Sequence, residues 1–255
     1  MSKRLLSMLL LLSIGLAAYS NTEDPFEPAN REIYKFNMAF DATFLKPPAI
    51  AYQLYIPAPI RAGVNNIYTN IGMLPTIGND ILQLQGRYLI HDLGRFIINS
   101  ALGLAGIGDV ATKLGVPMHR NDFGLTLAYW GNIKSPYIMI PFLGPATIRD
   151  GFGLIVDYTF FTPYPYIPNN PLYGILLLRY VDLRSQLLDD EKLLNNALDP
   201  YAFMRDAYFQ HRNRLIGINN GLDFNTEDNS QALYVEDNEA STPPSFSNQV
   251  AVTLT

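Results

Sequence analysis

Cysteine is absent from this sequence of 255 residues, and histidine occurs only three times. Without a thiol, the chain can form no disulfide, no zinc–thiolate centre and no iron–sulfur cluster, and it has no cysteine nucleophile. The three histidines, His91, His119 and His211, leave little room for a histidine-rich metal site. We therefore expect neither a metal nor another cofactor.

Charged residues are also scarce. They make up 16% of the chain, whereas an average soluble domain carries roughly 25%. The 18 basic and 23 acidic residues give a net charge of −5, which disfavours a nucleic-acid partner. A chain that is 48% hydrophobic with so little charge is not disordered over most of its length. The same balance is unusual for a well-solvated enzyme.

The common catalytic signatures are missing as well. Neither the G-x-S-x-G nor the H-E-x-x-H motif occurs. The glycine-rich stretch 103–108 does not follow a strand of a βαβ unit, so it indicates a turn or close helix packing rather than a dinucleotide site. The acidic run 189–191 lies beside Lys192 and is typical of a solvated helix surface rather than a metal site. We expect no enzymatic activity.

The N-terminus has the pattern of a signal peptide. Lys3 and Arg4 precede an apolar run over residues 5–18, which is shorter than the ~20 residues that a membrane span needs. Ala18 and Ser20 place small residues at the −3 and −1 positions of a cleavage site after Ser20. Residues 1–20 are therefore predicted to be a signal peptide, and an uncleaved N-terminal anchor is the alternative.

Tyr19 bears on the mode of membrane attachment. Residues 16–18 resemble the beginning of a bacterial lipobox, but Tyr19 occupies the position of the cysteine that would carry the lipid. We therefore expect the chain not to be lipidated.

The mature chain divides into a nearly neutral body and an acidic tail. The body, residues 21–221, contains no internal repeat and has the length of one domain. Residues 222–255 are predicted to form a solvated, disordered tail, with a short strand at its end as the alternative. Six acidic residues and no basic residue occur in the tail: Asp223, Glu227, Asp228, Glu236, Asp237 and Glu239.

Apolar spacing predicts that the body is mainly α-helical. Residues 30–44, 87–104 and 182–198 have apolar side chains at helical spacing, and the first of these helices is expected to end at Pro47 and Pro48. Asp199 and Pro200 provide an N-cap and a proline at the first helical position, so they predict another helix that stops near Gly217 or Gly221.

Evidence for strands is weak. Residues 137–141 are the best candidate, and they are expected to form a short β-hairpin with residues 125–130.

Three stretches, 96–108, 135–148 and 158–178, carry no charge. The last contains 21 residues, but four prolines divide it, which excludes a straight transmembrane helix. Tyrosine-rich apolar segments interrupted by proline suit a membrane interface. A buried core of a globular protein is the alternative.

Six motifs follow one another along residues 24–215. They are DPFEPANR at 24–31, PAPIR at 57–61, RF at 95–96, DFGLTL at 122–127 with WG at 130–131, PYIMIPFLGP at 136–145, and DPYAF at 199–203. In this collinear order, they resemble the MlaA (VacJ) family of Gram-negative bacteria.

The resemblance implies a ring-like, donut-shaped single domain of short amphipathic helices embedded in the inner leaflet of the outer membrane, at its periplasmic face. Mislocalised phospholipids would leave the outer leaflet through an amphipathic channel in this ring and pass to a periplasmic lipid-carrier protein, which maintains lipid asymmetry. The family also associates with trimeric porins, and no cofactor is implied. The alternative is a structural, porin-associated envelope protein that conducts no lipid.

The resemblance also supplies candidate site residues. A loop implied to govern channel opening corresponds to Trp130, Gly131, Asn132, Ile133, Lys134, Ser135 and Pro136. Asn37 and Met38 match positions that lie against that loop. Family members often have more glycine in this turn, where this chain has Ile133, Lys134 and Ser135.

Overall fold

A computed structural model describes residues 23–189 and 191–219. The predicted signal peptide and acidic tail lie outside the described residues. The described part is mostly helical, with one two-stranded antiparallel sheet, which confirms the predicted fold class. The helices are α1 Glu27–Phe40, α2 Lys46–Tyr55, α3 Ala58–Leu82, α4 Gly86–Ala101, α5 Val110–Lys113, α6 Phe123–Tyr129, α7 Ile148–Val156, α8 Asn169–Gln186, α9 Glu191–Asn196 and α10 Pro200–Asn219, and the strands are β1 Tyr137–Ile140 and β2 Gly144–Thr147.

Local hydrogen bonds explain where several helices begin. Asp122 Oδ1 accepts from the N–H of Leu125 at 2.8 Å and caps α6. At α10, Asp199 Oδ1 accepts from the N–H groups of Tyr201 and Ala202, and Pro200 is the first helical residue. These acceptors satisfy amides that have no partner inside a helix. The predicted helix start at Asp199 and Pro200 is confirmed.

Two predicted helix boundaries are wrong. Pro47 and Pro48 do not end the first helix, because a π-helical turn over Asp41–Leu45 joins α1 to α2 and the prolines lie in the first turn of α2. Their fixed φ suits that position, where the missing N–H is not needed. The helix predicted over 182–198 is divided between α8 and α9, with a turn that follows Gln186.

The β-hairpin forms, but with another partner. Residues 125–130, the predicted partner, belong mainly to α6, which the Asp122 cap initiates. Instead, β1 pairs with β2 in a register that places Tyr137 opposite Thr147 and Ile140 opposite Gly144. Gly144 has a φ of +92°, which glycine adopts without a steric penalty, and this allows the tight return of the chain.

The long uncharged stretch is broken as predicted. Within residues 158–178, the chain passes from a π-helical turn, Asp157–Phe161, through a 3₁₀ turn, Tyr164–Tyr166, into α8. Among the described residues, no helix combines the length and apolar character that crossing a bilayer requires.

Burial in this fold is inverted relative to a water-soluble protein. On α4, Asp92 and Arg95 are 0% and 2% exposed, whereas Ile90 and Ile97 on the opposite side are 76% and 54% exposed. Across the described residues, buried polar and charged side chains outnumber buried apolar ones. Hydrophobic burial alone therefore does not account for the interior of this domain.

Apolar packing is concentrated around α10. Leu215 and Ile216 pack with Leu125 and Ala128 of α6. A second cluster joins Tyr201 of α10 to the hairpin, with Tyr137 and Met139 as its other buried members. These contacts fix α6 and the hairpin, and therefore both ends of the segment that connects them.

Candidate lipid-contacting surface and polar interior

Large apolar side chains are exposed along most of the described chain. A folded protein exposes some apolar area in any case, but extensive exposure of large aliphatic and aromatic groups marks a surface that binds lipid or protein. Side chains that are more than half exposed occur on α2, α4, α7 and the segments that follow them: Leu54, Tyr55, Ile90, Ile97, Leu102, Leu104, Ile155, Phe160 and Tyr166.

One part of this surface is aromatic. The rings of Phe40 and Phe142 meet edge to face with centroids 4.8 Å apart, and Phe36 meets Phe142 at 5.1 Å. Phe44 continues the row at 5.2 Å from Phe40. The row connects α1 to the turn of the hairpin on an exposed face.

The interior contains a connected set of amide and hydroxyl groups. Thr126 Oγ1 donates to Asn79 Oδ1 at 2.6 Å, and Gln83 Nε2 donates to Thr126 Oγ1 at 2.8 Å and to Asn121 Oδ1 at 2.9 Å. Asn79 Nδ2 also donates to Asp157 Oδ1 at 2.8 Å. The network links α3, α6 and the turn after α7 through hydrogen bonds between buried groups.

A charge cluster lies between α6, α7 and α10, in which Arg212 and Asp150 are largely buried and Asp122 is partly exposed. The guanidinium of Arg212 binds both carboxylate oxygens of Asp122, at 2.6 and 2.9 Å, and Asp150 Oδ1 at 2.8 Å. Asp150 also binds Arg149 and the hydroxyl of Tyr208. Burial raises the pKa of Asp150, but the hydrogen bond from Arg149 and the charge of Arg212 outweigh it and hold the pKa below its ordinary value.

Asp157 lies in a different electrostatic environment. Burial raises its pKa to about 6, although the N–H of Phe123 and the amide of Asn79 donate to its carboxylate. The desolvation of the charged form therefore exceeds the stabilisation from two hydrogen bonds.

The predicted loop 130–136 connects α6 to β1. Its residues from Trp130 to Lys134 are exposed, and Gly131 has a φ of +113°. Arg149 Nη1 donates to the carbonyl oxygens of Asn132 and Ile133, at 3.1 and 2.8 Å, and the N–H of Arg149 donates to Ser135 Oγ. One buried arginine thus restrains a loop that is otherwise solvent-facing.

Asn37 and Met38 lie on α1 beside the hairpin. The hydrogen bonds of Asn37 go to the turn between the strands: its Nδ2 donates to the carbonyl of Ile140 at 3.0 Å, and its Oδ1 accepts from the N–H of Phe142 at 2.8 Å. Met38 is half-buried. Asn37 therefore anchors the far end of β1, and Arg149 anchors the loop that precedes β1.

No role for Arg149, Asp150 or Arg212 was predicted from the sequence. Arg149 and Asp150 are adjacent charges directly after the uncharged stretch 135–148. Charges in that position are a signal for a buried ion pair, because an apolar surrounding gives them little water. Nothing local to Arg212 indicates that it completes the cluster.

Comparisons with known proteins agree with this architecture. Residues 22–215 match the family model for the MlaA lipoprotein. The "Intermembrane phospholipid transport system lipoprotein MlaA" of Escherichia coli (strain K12) is 34% identical over 221 residues, which cover 84% of this chain and 85% of that protein. The protein of the same name from Haemophilus influenzae is 31% identical over 200 residues, or 75% and 78% of the two chains.

A solved structure described as "Structural basis for maintenance of bacterial outer membrane lipid asymmetry" superposes with a TM-score of 0.67. It is 32% identical and is covered over 98% of its chain by 76% of this one. The match extends over nearly all of the described residues and confirms the resemblance read from the six motifs. The chain belongs to the MlaA lipoprotein family.

Proposed function

We propose that this protein removes mislocalised phospholipids from the outer leaflet of the outer membrane and passes them to a periplasmic carrier, as a member of an intermembrane phospholipid transport system. The inverted burial is the observation that carries the proposal. Apolar side chains such as Ile90 and Ile97 face outward, while Asp92, Arg95 and Asn99 of the same helix face inward.

The chemistry of a phospholipid requires such an arrangement. Its acyl chains need apolar surroundings, whereas its charged headgroup needs polar groups wherever water is excluded. Outward apolar faces let the domain lie in hydrocarbon, and a polar interior supports a path for the headgroup. Asp92 and Arg95 are 0% and 2% exposed, so they would stabilise the wall of that path rather than line it. No bond of the lipid is broken in this process, so no catalytic residue is required.

The lengths of the short helices suit one leaflet. The nine residues of α7 span about 14 Å at 1.5 Å per residue. The hydrocarbon core of a bilayer is about 30 Å thick, so such a helix matches half of it. We infer that the helices form a ring one leaflet deep around an amphipathic channel, as the family resemblance implies.

The loop 130–136 is proposed as the closing element of that channel. Arg149 holds two of its carbonyl groups, and Asn37 fixes the hairpin turn beyond β1. The packing of α6 and of the hairpin against α10 fixes both ends of the loop, so the loop would open between them when the Arg149 contacts break.

Two protein partners belong to the proposal. The trimeric porin and the periplasmic lipid carrier are supported by the family resemblance, and the exposed apolar surface offers area for a membrane-embedded partner. We propose that this surface and the porin contribute to attachment at the outer membrane.

The test uses a strain that lacks the gene, complemented with the full-length chain. The surface-exposed phospholipid is measured as the fraction that an added phospholipase cleaves on intact cells. We expect a raised fraction in the deletion strain and restoration by the wild-type chain. A chain that binds porin normally but leaves the fraction raised would instead support the structural, non-conducting role.

A further inference from the structure

Three ionisable side chains from distant parts of the sequence meet inside the domain. Asp80 lies near the end of α3, Asp92 in α4, and His119 in the segment between α5 and α6. One ligand atom from each lies within 4.8 Å of the others. All three side chains are 0 to 1% exposed. Asp92 is one of the buried polar residues of α4 described above, but the cluster is separate from the loop 130–136 and from the Arg212 cluster.

The three groups are close enough together for one cation to reach a ligand atom of each after a small local adjustment. His119 Nδ1 lies 2.7 Å from Asp92 Oδ2 and 4.0 Å from Asp80 Oδ1. Ligand atoms bonded to one zinc ion at about 2.0–2.2 Å are separated by roughly 3.3 Å in a tetrahedral arrangement. Asp92 and His119 are hydrogen-bonded in this structure and lie closer than that value, whereas Asp80 and His119 lie farther apart, so an ion would replace the hydrogen bond and draw Asp80 inward.

One carboxylate oxygen of Asp80 has no hydrogen-bond partner. Its Oδ1 accepts from Asn121 Nδ2 at 2.8 Å. Its Oδ2 is buried and receives no hydrogen bond from an N–H or hydroxyl group in the described part of the chain, and the carboxyl group of Asp92 lies beside Asp80. A buried carboxylate oxygen without a partner is strongly unfavourable unless a cation or a proton compensates it.

We propose that Asp80, Asp92 and His119 bind a divalent transition-metal cation, with Zn²⁺ as the favoured ion. One imidazole nitrogen and carboxylate oxygens are a donor set that zinc accepts, and the absence of thiolate excludes softer sites. A dication would neutralise both buried carboxylates and give Asp80 Oδ2 a partner.

Neighbouring groups already orient these ligands. His91 Nδ1 lies 2.8 Å from Asp92 Oδ1, on the side of the carboxylate that faces away from His119. The ring of Tyr88 stacks on the His119 ring with centroids 4.3 Å apart. Partners of this kind fix the ligands before the ion binds. The ion would join α3, α4 and the His119 segment, so its role would be structural.

The first experiment measures metal content. The full-length chain is purified in detergent without chelators, and its metals are determined by inductively coupled plasma mass spectrometry. We expect about one equivalent of zinc per chain, and loss of at least nine-tenths of it in Asp80→Asn and His119→Gln. The matched control is Asp157→Asn, which alters another buried aspartate of the polar interior and should keep the metal.

The second experiment does not depend on whether the variants fold. The wild-type chain is dialysed against a chelator and then against buffer containing Zn²⁺ or Mn²⁺. We expect the melting temperature to fall after chelation and to recover with the metal. Unchanged melting together with no uptake of either ion would mean that the two carboxylates share a proton, which overturns the proposal. Zinc retained in both ligand variants would overturn it as well. Either result leaves the proposed lipid transport untouched, because that is tested on intact cells.

Discussion

Arg212 carries its positive charge inside the fold, between the carboxylates of Asp122 and Asp150. Replacing it by glutamine would leave both acids without their shared cation. Asp150 is almost fully buried and would keep only Arg149 as a cationic partner, whereas Asp122 is 37% exposed, so we expect Arg212→Gln to lower the free energy of unfolding by roughly 1–3 kcal/mol. Thermal unfolding of the detergent-purified chain, followed by circular dichroism, measures this.

Lys35→Gln is the matched control for Arg212→Gln. Lys35 forms an ion pair with Glu32 on the exposed side of α1, at 2.7 Å. Water and salt screen such a pair, so its loss should not change the melting temperature measurably. Equal effects of the two substitutions would contradict the view that burial, rather than pairing itself, makes Arg212 important.

Asp157 should make the stability of the fold depend on pH. Its pKa is raised to about 6 in the folded state, above the ordinary value of 3.8, so between these values the folded chain binds a proton that the unfolded chain has lost. Stability contributed by this group is therefore present below about pH 4 and is lost as the pH rises through 6. The loss is at most about 3 kcal/mol, from 1.36 kcal/mol for each pKa unit.

The variant Asp157→Asn checks this contribution. It cannot ionise, so its melting temperature relative to wild type should increase as the pH is raised from 4 to 7. Measurements in one detergent at constant ionic strength isolate the effect. A difference between the two chains that does not vary with pH would mean that Asp157 stays charged throughout.

The helices α6 and α7 approach each other closely at Gly124 and Gly153. A Cβ on Gly153 would collide with the backbone of Gly124, and α6 and α7 carry residues of the Arg212 cluster, Asp122 at the start of α6 and Asp150 within α7. We expect Gly153→Ala to force the helices apart and to destabilise the domain by ~1–3 kcal/mol. The melting temperature of the purified variant reports the change.

Gly174→Ala is the matched comparison, because there we expect alanine to increase stability. Gly174 lies within α8, and nothing would lie within 4 Å of a Cβ there. Alanine should therefore stabilise the helix by roughly 0.5–1 kcal/mol. If both alanine variants changed stability in the same direction, close contact would not explain the glycine at position 153.

The loop 130–136 is restrained by its contacts with Arg149, which a substitution can remove. Arg149→Lys keeps a positive charge beside Asp150 but loses the planar donors that hold the carbonyls of Asn132 and Ile133. If the loop closes the proposed channel, its loosening should weaken closure, so that cells become more sensitive to detergent while the protein level is unchanged. A proline at Gly131 would be a poorer test, because φ of +113° is closed to proline.

Arg205→Lys is the control for the loop. Arg205 is a partly buried arginine of α10 that binds Asp206 and Asp24, away from the loop carbonyls. Its replacement should leave detergent sensitivity at the wild-type level. Normal barrier function in the Arg149→Lys strain, with the protein folded and present, would contradict a gating role.

The elements differ in how far the sequence determines them. The start of α10 was predictable, because Asp199 caps the N–H of Ala202 only three residues later and Pro200 is its direct neighbour. The partner of β1 was not, because alternation in residues 125–130 is compatible with a strand until the Asp122 cap is recognised. The cluster of Asp80, Asp92 and His119 could not be predicted, because it forms only when α3, α4 and the segment that carries His119 pack together.

The spacing of apolar residues in α4 does not determine which face of the helix points into the fold. Its spacing separates Asp92 and Arg95 from Ile90 and Ile97, but the pattern is the same whichever face is buried. In water the apolar face would turn inward, whereas in lipid the polar face does. The orientation therefore reports the surrounding solvent, which local sequence does not specify.

For the whole molecule, the exposed apolar surface predicts how the protein partitions. We expect the chain to remain with outer membranes after high-salt washing and to be released only by detergent, although it contains no cysteine for a lipid anchor. A single acyl chain gives only marginal membrane binding, whereas many buried apolar side chains act together. Recovery of the wild-type chain in the soluble periplasmic fraction would contradict this.

A variant in which glutamine replaces four exposed apolar residues tests whether these side chains bind the protein to the membrane. Ile90, Ile97, Ile155 and Phe160 are each more than half exposed, and each should contribute roughly 2 kcal/mol when it enters hydrocarbon. Replacing them together should move a large fraction of the chain into the soluble fraction and raise surface-exposed phospholipid. The control changes Glu32 and Lys35 to glutamine on an exposed polar face and should leave both quantities unchanged. In a water-soluble globule the quadruple change would have no effect on fractionation, so the experiment separates a domain that is inverted for lipid from one whose exposed apolar groups face water.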